Sequence, residues 1–459
     1  MRTHFVGIGG AGMSPMAAIL LQRGEVVSGS DWQATPVTVR LAAAGATIYQ
    51  GHQAAHVHGA DRVVISSAVP ADNPEVVEAH RLGLPVLKAA GLLGELMRGK
   101  VGLCVAGTHG KTTTTALLAL ALRQAGLDPS FVIGGVLRGL EISGYWGAGP
   151  HFVAEADEYD RRFLALTPHV AVITSIDPDH LDTYGTLAAL EDAFAAFASR
   201  VPADGYVVAC GDEPRVLALR KRPDRRGMFV TYGLGSGNDW PATEIIPNDA
   251  GGYDFTVGEA GRFRLAVPGR HNVVNATAVV AVAALLGVDL NAVRRALADF
   301  QGVHRRFEVL GEVNGVTVVD DYAHHPAEIQ ATLATARARY PDRRLVIVHQ
   351  PHTYTRTRDL LPDFAVALAD ADVVVLTPIY AARERDTLGV SSADLAAAMR
   401  GHPHVQLVES LNQATLYVSN LLEPGDVLIT LGAGDVNQVG RDICVRRQTH
   451  LATLNQPQV

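Results

Sequence analysis

The segment 106–114, which reads AGTHGKTTT, constrains the fold of this chain more than any other. An apolar run, Val101–Ala106, precedes it and a helical pattern, Thr112–Gln124, follows it. This order predicts a strand, a phosphate-binding loop and a helix, because glycines let backbone N–H groups curl around phosphate oxygens and the helix N-terminus attracts anions. We therefore predict that Lys111 contacts the β- and γ-phosphates of a nucleotide and that the Thr112 hydroxyl binds Mg²⁺.

Strand and helix patterns alternate along the whole chain, which predicts an α/β fold with largely parallel sheets. A length of 459 residues is typical of about two to four domains. The alternation falls into three units, 1–98, 99–302 and 303–459. Within the second unit, the Gly-, Pro- and Asp-rich stretch 222–270 predicts a small antiparallel elaboration. Ligands of open α/β sheets bind at the carboxyl ends of strands, so we expect the chemistry there.

Charge, cysteine content and hydropathy exclude several classes of protein. The formal charge is −8, from 39 Lys+Arg and 47 Asp+Glu, which disfavours nonspecific binding to nucleic acid. The three cysteines form no CxxC pair, as is usual in a reducing compartment. The longest apolar stretch, 273–286, is shorter than the roughly 20 residues that a membrane span needs. We therefore expect a cytoplasmic protein without membrane insertion.

A second glycine-rich loop lies at the N-terminus, in the segment 7–12, which reads GIGGAG. It follows a predicted strand, and Asp31 comes about 20 residues later, as in a dinucleotide-binding fingerprint. An NAD-dependent oxidoreductase is therefore one candidate. A dehydrogenase has no use for the second phosphate loop, however, so two loops indicate two phosphorylated ligands, one of them ATP. A non-catalytic nucleotide switch is a further alternative.

Acidic and histidine residues follow two other strands of the central unit. Glu155 begins the sequence EADE, and Asp177 and His180 lie in the sequence DPDH. Oxygen-rich groups are the ligands that Mg²⁺ prefers. Together with the phosphate loop, these groups predict a metal site at the strand ends.

The ordered set of motifs resembles the Mur ligase family over essentially the whole chain. Besides the two glycine loops and the DPDH segment, it includes HNVVN (271–275), HRRF (304–307), DDYAHHP (320–326), QPHTYTRT (350–357) and LGAGD (431–435). The resemblance implies a Rossmann-like UDP-sugar domain, a central P-loop ATPase domain with a mostly parallel sheet, and a Rossmann-like amino-acid domain. It implies an ATP-dependent reaction that joins the lactyl carboxylate of UDP-N-acetylmuramate to the amine of L-alanine, releasing ADP and phosphate.

The resemblance also assigns residues to ATP and metal. The implied metal ligands are Thr112, Glu155 and His180, holding two Mg²⁺ ions for which Mn²⁺ could substitute. His271 and Asn275 match adenine and ribose contacts; the alternative is that Asn272 caps a helix and His271 is a core residue. Arg306 matches an arginine that reaches ATP phosphate from the next domain, and Asp321 continues that contact, whereas Arg305 is read as structural. The ATP-binding residues are Gly107, Thr108, His109, Gly110, Lys111, Thr112, Thr113, His271, Asn275 and Arg306, and the catalytic residues are Lys111, His180, Arg306 and Asp321.

The remaining assignments concern the sugar nucleotide and the amino acid. The residues matched to UDP-sugar contacts are Gly9, Gly10, Gly12, Met13, Ser28, Asp31, His52 and Ser67. The residues matched to the amino-acid pocket are Tyr322, His324, His352 and Arg356. Arg356 is the natural partner of a carboxylate, because its planar fork binds two oxygens. Thr353 stands where many relatives carry Arg, and Ser175 and Asp177 replace the usual Asn and Glu.

The sequence leaves the amino-acid substrate, the proton acceptor and the oligomeric state open. A tripeptide-recycling ligase of the same family would use the same sugar nucleotide and ATP, although the arginine loop favours L-alanine. His324, Asp321 and solvent are all candidates to accept the proton that the amine must lose. We expect a monomer or a weak homodimer, with small-molecule substrates as its partners.

Overall fold

The computed structural model describes residues 1–382 and 384–454, which form two compact units. The first unit comprises Met1–Val267 and Asn272–Val303, and the second comprises Pro268–His271 and the described residues from His304 onward. The first unit contains a five-stranded and a ten-stranded sheet, and the second contains a six-stranded sheet. The three sheets confirm the predicted three-domain α/β fold, while the exact domain bounds stay a prediction.

The N-terminal sheet has the order β3-β2-β1-β4-β5, and all of its strand pairs are parallel. Its strands are β1 (Arg2–Val6), β2 (Val26–Asp31), β3 (Thr47–Gln50), β4 (Arg62–Ile65) and β5 (Val86–Lys88). Its helices are α1 (Ser14–Gln22), α2 (Pro36–Ala43), α3 (Pro74–Arg81) and α4 (Ala89–Met97), with a 3₁₀ turn at Ala54–Val57. The first glycine loop thus joins β1 to α1, at the carboxyl edge of a parallel sheet, where such folds bind ligands.

The central sheet has the order β15-β14-β13-β12-β11-β10-β6-β9-β7-β8. Its strands are β6 (Val101–Ala106), β7 (Ser130–Leu137), β8 (Ile142–Tyr145), β9 (His151–Glu155), β10 (Val170–Ile173), β11 (Tyr206–Cys210), β12 (Met228–Gly233), β13 (Trp240–Pro247), β14 (Tyr253–Val257) and β15 (Gly261–Leu265). Its helices are α5 (Lys111–Gln124), α6 (Leu181–Tyr184), α7 (Leu187–Ala198), α8 (Pro214–Ala218), α9 (Arg270–Leu285) and α10 (Leu290–Ala298), with 3₁₀ turns at Tyr159–Ala165, Leu219–Lys221 and Gly258–Ala260. The middle of the sheet is parallel and both ends are antiparallel, so the sheet is mixed.

Two outcomes in the central sheet bear on the sequence predictions. The predicted antiparallel elaboration within 222–270 is confirmed as β13–β15, which continue the main sheet beyond β12. Strands β7 and β8 were not predicted. The Gly134–Gly135 pair interrupts the apolar pattern of β7, since glycine weakens a strand and marks a close backbone approach.

The third sheet has the order β16-β17-β21-β18-β19-β20, parallel except for β16, which pairs antiparallel with β17 at the edge. Its strands are β16 (Glu308–Val313), β17 (Val316–Asp321), β18 (Leu345–His349), β19 (Val373–Leu376), β20 (Val405–Leu407) and β21 (Val427–Leu431). Its helices are α11 (Pro326–Arg339), α12 (Tyr354–Asp359), α13 (Leu361–Leu368), α14 (Ser392–Ala398), α15 (Leu411–Leu421) and α16 (Asn437–Leu454). The unpredicted β16 is an edge strand whose Gly311 lies at an irregularity of the pairing.

The elements that carry the phosphate loop are deeply buried. Five of the six residues of β6 are buried, and α5 and α9 contribute to the same apolar core. Because α5 and α9 are buried on most sides, apolar residues occur all around them and neither helix has an amphipathic pattern. Among the described helices, each is too short or too polar to cross a bilayer.

Candidate functional site

The phosphate loop, residues 107–110, joins β6 to α5 as predicted. Its backbone is held by the segment that follows β10. Thr108 N donates to Ser175 O at 2.9 Å, His109 N donates to Ser175 Oγ at 3.0 Å, and Asp177 N donates to Thr108 Oγ1 at 2.9 Å. The two positions that depart from the family pattern, Ser175 and Asp177, therefore fix the shape of the loop.

Gly110 and Asn275 bring the buried helix α9 against the loop. Gly110 has a φ of 80°, and a Cβ at this position would lie 2.6 Å from Asn275 Oδ1. Only glycine accepts both the left-handed conformation and this approach. Asn272 accepts a hydrogen bond from Asn275 Nδ2 at 3.1 Å inside α9, which begins at Arg270, so the alternative that Asn272 caps the helix is wrong.

Lys111 is bonded to a buried carboxylate. Its Nζ donates to both oxygens of Glu158, at 2.9 and 2.7 Å, and to Gly107 O at 2.6 Å. Burial lowers the pKa of Lys111, but the charges of Glu158 and Asp157 outweigh it and the pKa is raised overall. Burial raises the pKa of Glu158 to about 7, although Lys111 opposes this. Lys111 is therefore a charged ammonium at the start of α5.

Thr112 and Glu155, two of the predicted metal ligands, lie together. Thr112 Oγ1 donates to Glu155 Oε1 at 3.1 Å, and Gly134 N donates to Glu155 Oε2 at 2.8 Å. A Cβ at position 134 would lie 2.5 Å from Glu155 Oε1. Gly134 therefore leaves the space that Glu155 occupies, a role that the sequence alone did not reveal.

His180, the third predicted ligand, lies in a separate group with Asp157 and Glu158. One ligand atom from each of these three residues lies within 4.8 Å of the others. Carboxylate oxygens, a hydroxyl and one imidazole suit a hard or borderline divalent cation. The donors present thus fit Mg²⁺ or Mn²⁺, and Asp157 and Glu158 join the three residues that the resemblance assigned.

We expect Gly134→Ala to raise the Mg²⁺ concentration needed for half-maximal activity by about tenfold, because the new methyl group displaces the Glu155 carboxylate. The displaced atoms belong to a flexible side chain, so the melting temperature should change little. Gly91→Ala, in a helix and with open space around the new methyl group, is the matched control. Unchanged Mg²⁺ dependence in Gly134→Ala would contradict the placement of Glu155 at the metal.

In the N-terminal domain, Asp31 supports the first glycine loop. Its Oδ2 accepts from Gly9 N at 2.8 Å and its Oδ1 accepts from Trp32 N at 2.8 Å. In a dinucleotide site, an acidic residue at this place binds ribose hydroxyls instead. Both oxygens of Asp31 accept hydrogen bonds from backbone amides, so in this structure Asp31 holds the glycine loop in shape.

The other residues matched to the UDP-sugar site have varied surroundings. Gly10 N donates to Gly7 O at 3.2 Å, Gly12 belongs to the same turn, and Met13 and Ser28 are buried. His52 Nδ1 lies 2.9 Å from Ser30 Oγ and 3.3 Å from Glu75 Oε2. Burial raises the pKa of Glu75, but the neighbouring His4 and the hydrogen bonds with Ser30 and His56 lower it by a larger amount, to about 2. Ser67 Oγ donates to Asp160 Oδ2 at 2.6 Å.

The turn that carries Arg306 is braced by two carboxylates. Asp321 accepts from Phe307 N at 2.6 Å and from Ala323 N at 2.7 Å, and burial raises its pKa to about 6. Arg305 donates from Nε to Asp320 Oδ2 at 3.1 Å, in agreement with its structural interpretation. The Arg306 guanidinium lies 5.1 Å from the centre of the Tyr322 ring. Asp321 thus holds the turn through the backbone.

His271, matched to adenine, is an exposed residue in the first turn of α9, so the alternative that it is a core residue is wrong. Partial loss of hydration lowers its pKa to about 4, and the charge of Arg306 adds to this effect. The imidazole is therefore neutral at physiological pH and has one donor and one acceptor nitrogen, as a contact to an uncharged base requires.

The four residues matched to the amino-acid pocket form one cluster in the second unit. The ring centres of Tyr322 and His324 lie 5.3 Å apart, and those of His324 and His352 lie 5.5 Å apart. Arg356 Nη1 lies 2.9 Å from His352 Nδ1. The predicted residues thus converge, although they come from β17, β18 and α12 and the loops beside them.

Thr353 and Glu384 hold the helix that carries Arg356. Thr353 is buried with a φ of 66°, and its N donates to Tyr380 O at 2.9 Å. Glu384 Oε2 accepts from Tyr354 N at 2.6 Å and Thr355 N at 3.0 Å, so it caps α12. Thr353 is packed inside, and Arg356 supplies the guanidinium of the cluster. Glu384 comes from a distant loop, and sequence reasoning did not find it.

Three models of protein families match consecutive parts of the chain. They are described as the Mur ligase family catalytic domain for residues 2–101, the Mur ligase middle domain for residues 105–283, and the Mur ligase glutamate ligase domain for residues 305–434.

Individual relatives match over nearly the full length. A UDP-N-acetylmuramate–L-alanine ligase from Anaeromyxobacter sp. (strain Fw109-5) is 48% identical over 96% of this chain and 97% of its own length. One from Myxococcus xanthus is 46% identical over 98% of this chain and 96% of its own length.

Solved structures are similar as well. The crystal structure of a UDP-N-acetylmuramate-alanine ligase from Thermotoga maritima matches with a TM-score of 0.85 and 31% identity, covering 98% of this chain and all of the other. A murein peptide ligase from Psychrobacter arcticus matches with a TM-score of 0.75 and 26% identity, with both chains covered completely.

Proposed function

The chain belongs to the Mur ligase family, and on that premise we propose that it is a UDP-N-acetylmuramate–L-alanine ligase, which uses ATP in the synthesis of a peptidoglycan precursor. The observation that carries the proposal is the identity of 48% over almost the whole chain with relatives of that name. The cluster of Tyr322, His324, His352 and Arg356 supports it, since it offers a guanidinium for the carboxylate of a small amino acid.

The chemistry explains why such an enzyme needs a phosphate loop. A carboxylate is a poor acyl donor, because its leaving group would be oxide. Attack of the lactyl carboxylate on the γ-phosphate of ATP gives an acyl phosphate and ADP. The amine of L-alanine then attacks the acyl carbon, and phosphate leaves as the amide forms. Transfer of this kind depends on positioning and on neutralising charge.

Within this proposal, Lys111 releases its hydrogen bonds to Glu158 when ATP binds and then holds the β- and γ-phosphates. The loop residues 107–113 bind the phosphates, and Asn275 and His271 bind ribose and adenine. Arg306 contacts ATP phosphate, and Asp321 fixes the turn that carries it. Thr112, Glu155 and His180 would hold Mg²⁺, with Asp157 and Glu158 beside them. Bound Mg²⁺ would neutralise charge on the phosphates.

The first glycine loop, with Gly9, Gly10 and Gly12, would bind the diphosphate of the sugar nucleotide. Asp31 keeps this loop in shape, and His52 lies at the same sheet edge. The buried Met13 and Ser28 would shape the sugar-nucleotide site by packing, whereas Ser67 would contact the sugar nucleotide from the loop after β4. We further propose that the protein works in the cytoplasm as a monomer or a weak homodimer.

One assay separates the proposal from its rivals. Purified protein is mixed with UDP-N-acetylmuramate, ATP and Mg²⁺, and phosphate release is followed with L-alanine, with the tripeptide, or with neither. We expect release that depends on L-alanine, together with the amide product in mass spectrometry. Release that depends on the tripeptide alone would favour the recycling ligase. ATP binding without amide product would favour a nucleotide switch, and reduction of NAD in a parallel reaction to which NAD is added would favour the oxidoreductase.

A further inference from the structure

We propose that His324 is the base that takes the proton from the ammonium group of the incoming amino acid, and that Glu328 is the positioning residue that keeps His324 in the required tautomer. The inference rests on the proposed function, because it assigns a role within the amide-forming step. The sequence left His324, Asp321 and solvent open, and the geometry points to the first.

The ring of His324 has a defined orientation. Its Nδ1 lies 3.2 Å from Glu328 Oε2 and 3.0 Å from Tyr322 O. Both oxygens are acceptors, so Nδ1 carries the hydrogen, and Nε2 of the neutral ring keeps the lone pair that accepts a proton.

The same carboxylate also fixes the backbone of the histidine. Glu328 Oε2 accepts from His324 N at 3.1 Å, and Glu328 lies in the first turn of α11. The side chains of His324 and Glu328 are 17% and 13% exposed, so the pair is shielded from most solvent but His324 is still accessible. A carboxylate on one nitrogen of an imidazole raises the basicity of the other.

Asp321 is less suited to the task. Its two oxygens accept from Phe307 N and Ala323 N at 2.6 and 2.7 Å, and the residue is buried. Moving the carboxylate toward a substrate amine would leave two buried backbone amides without their acceptor, which is unfavourable. Its geometry is that of a structural brace.

The residues around His324 place it close to where the amine of the amino acid would bind. His324 packs between the rings of Tyr322 and His352, and Arg356 contacts His352. The amino and carboxylate groups of an α-amino acid are joined to one carbon. A carboxylate held by Arg356 therefore brings the ammonium close to the same cluster.

The charges around the pair have opposing effects. Asp321 and His271 interact electrostatically with Glu328, and the buried His349 interacts with His324. The charges of Arg306 and Arg356 act on the neighbouring Tyr322, whereas the Glu328 carboxylate lies 3.2 Å from His324 Nδ1 and favours a protonated ring. Glu328 is thus the group whose removal shifts this balance toward the neutral ring.

The proposed step balances as follows. The ammonium proton moves to His324 Nε2, and the nitrogen lone pair forms the C–N bond at the acyl carbon. The C–O bond to phosphate breaks and phosphate leaves with the electron pair. The second nitrogen proton passes to solvent, as does the proton on His324 before the next turnover.

Glu328→Gln tests the positioning role, since the amide oxygen can still accept from Nδ1 while the negative charge is lost. We expect kcat/KM for L-alanine to fall about tenfold to a hundredfold, and the acid limb of its pH profile to move to lower pH by about one unit. His324→Ala should lose about a hundredfold. Glu78→Gln, which breaks an exposed pair with His58 in the N-terminal domain, is the matched control and should match the wild type.

Trapping with hydroxylamine measures formation of the acyl phosphate without the need for a base that deprotonates the amine. Hydroxylamine is largely unprotonated at neutral pH and captures an acyl phosphate as a hydroxamate, without L-alanine. We expect wild type, Glu328→Gln and His324→Ala to form hydroxamate at similar rates, which also shows that the variants fold.

The outcomes separate this inference from the proposed function. If the wild type forms neither hydroxamate nor amide, the proposed function fails and the inference fails with it. If the wild type forms both, an unmoved acid limb in Glu328→Gln overturns the inference. An equal loss of hydroxamate and amide in the variants also overturns it, because it reveals a merely structural role.

Discussion

Replacing Lys111 by alanine is expected to lower kcat for amide formation by about 10³-fold, because the ammonium that neutralises the β- and γ-phosphates is lost. The variant should nevertheless fold. Lys111 lowers the pKa of the buried Glu158, which burial raises to about 7. Without Lys111 this pKa rises further, so Glu158 becomes neutral at pH 7 and avoids an unpaired buried charge.

Two further variants distinguish the loss of charge from the loss of structure. Lys111→Arg keeps the charge and should retain more activity than Lys111→Ala. Lys111→Ala combined with Glu158→Gln removes the carboxylate and should be as inactive as the single variant, with a similar melting temperature. Measurements of phosphate release and thermal unfolding check both points. Near-normal turnover in Lys111→Ala would refute the assigned role.

The sequence was most informative where local order alone determines structure. The strand, loop and helix around Lys111 were predicted nearly to the residue, because an apolar strand, glycines and a helix follow each other directly. Strand β7 was missed because Gly134 and Gly135 resemble a break in the pattern. The structure shows why a glycine is there: Glu155 fills the space that a side chain would take.

Partners that meet only in the fold could not be predicted in the same way. Lys111 and Glu158 are 47 positions apart and meet through two neighbouring parallel strands, β6 and β9. Glu384 reaches the start of α12 from a loop after β19. Asp31 was predicted to follow the second strand and is in fact the last residue of β2, but spacing could not tell a ribose contact from a bond to Gly9 N, since both need an acid at the same strand end.

Arg356→Ala is expected to raise the KM for L-alanine by roughly tenfold to a hundredfold, because a charge-assisted hydrogen bond contributes about 1.5–3 kcal/mol. The affinity for ATP, measured by calorimetry, should be unchanged. Arg356 lies in the cluster with His352, whereas Lys111, the basic residue at the phosphate loop, belongs to the other unit. The variant thus tests the amino-acid pocket separately from the phosphate loop.

Arg358→Ala is the matched control, because Arg358 lies on the same short helix but is exposed and paired with Asp359. It removes the same charge and the same side chain without touching the cluster, so its KM for L-alanine should equal that of the wild type. A general effect of positive charge on substrate attraction would raise the KM in both variants. Lost ATP affinity in Arg356→Ala, with an unchanged KM for L-alanine, would instead move Arg356 out of the amino-acid pocket.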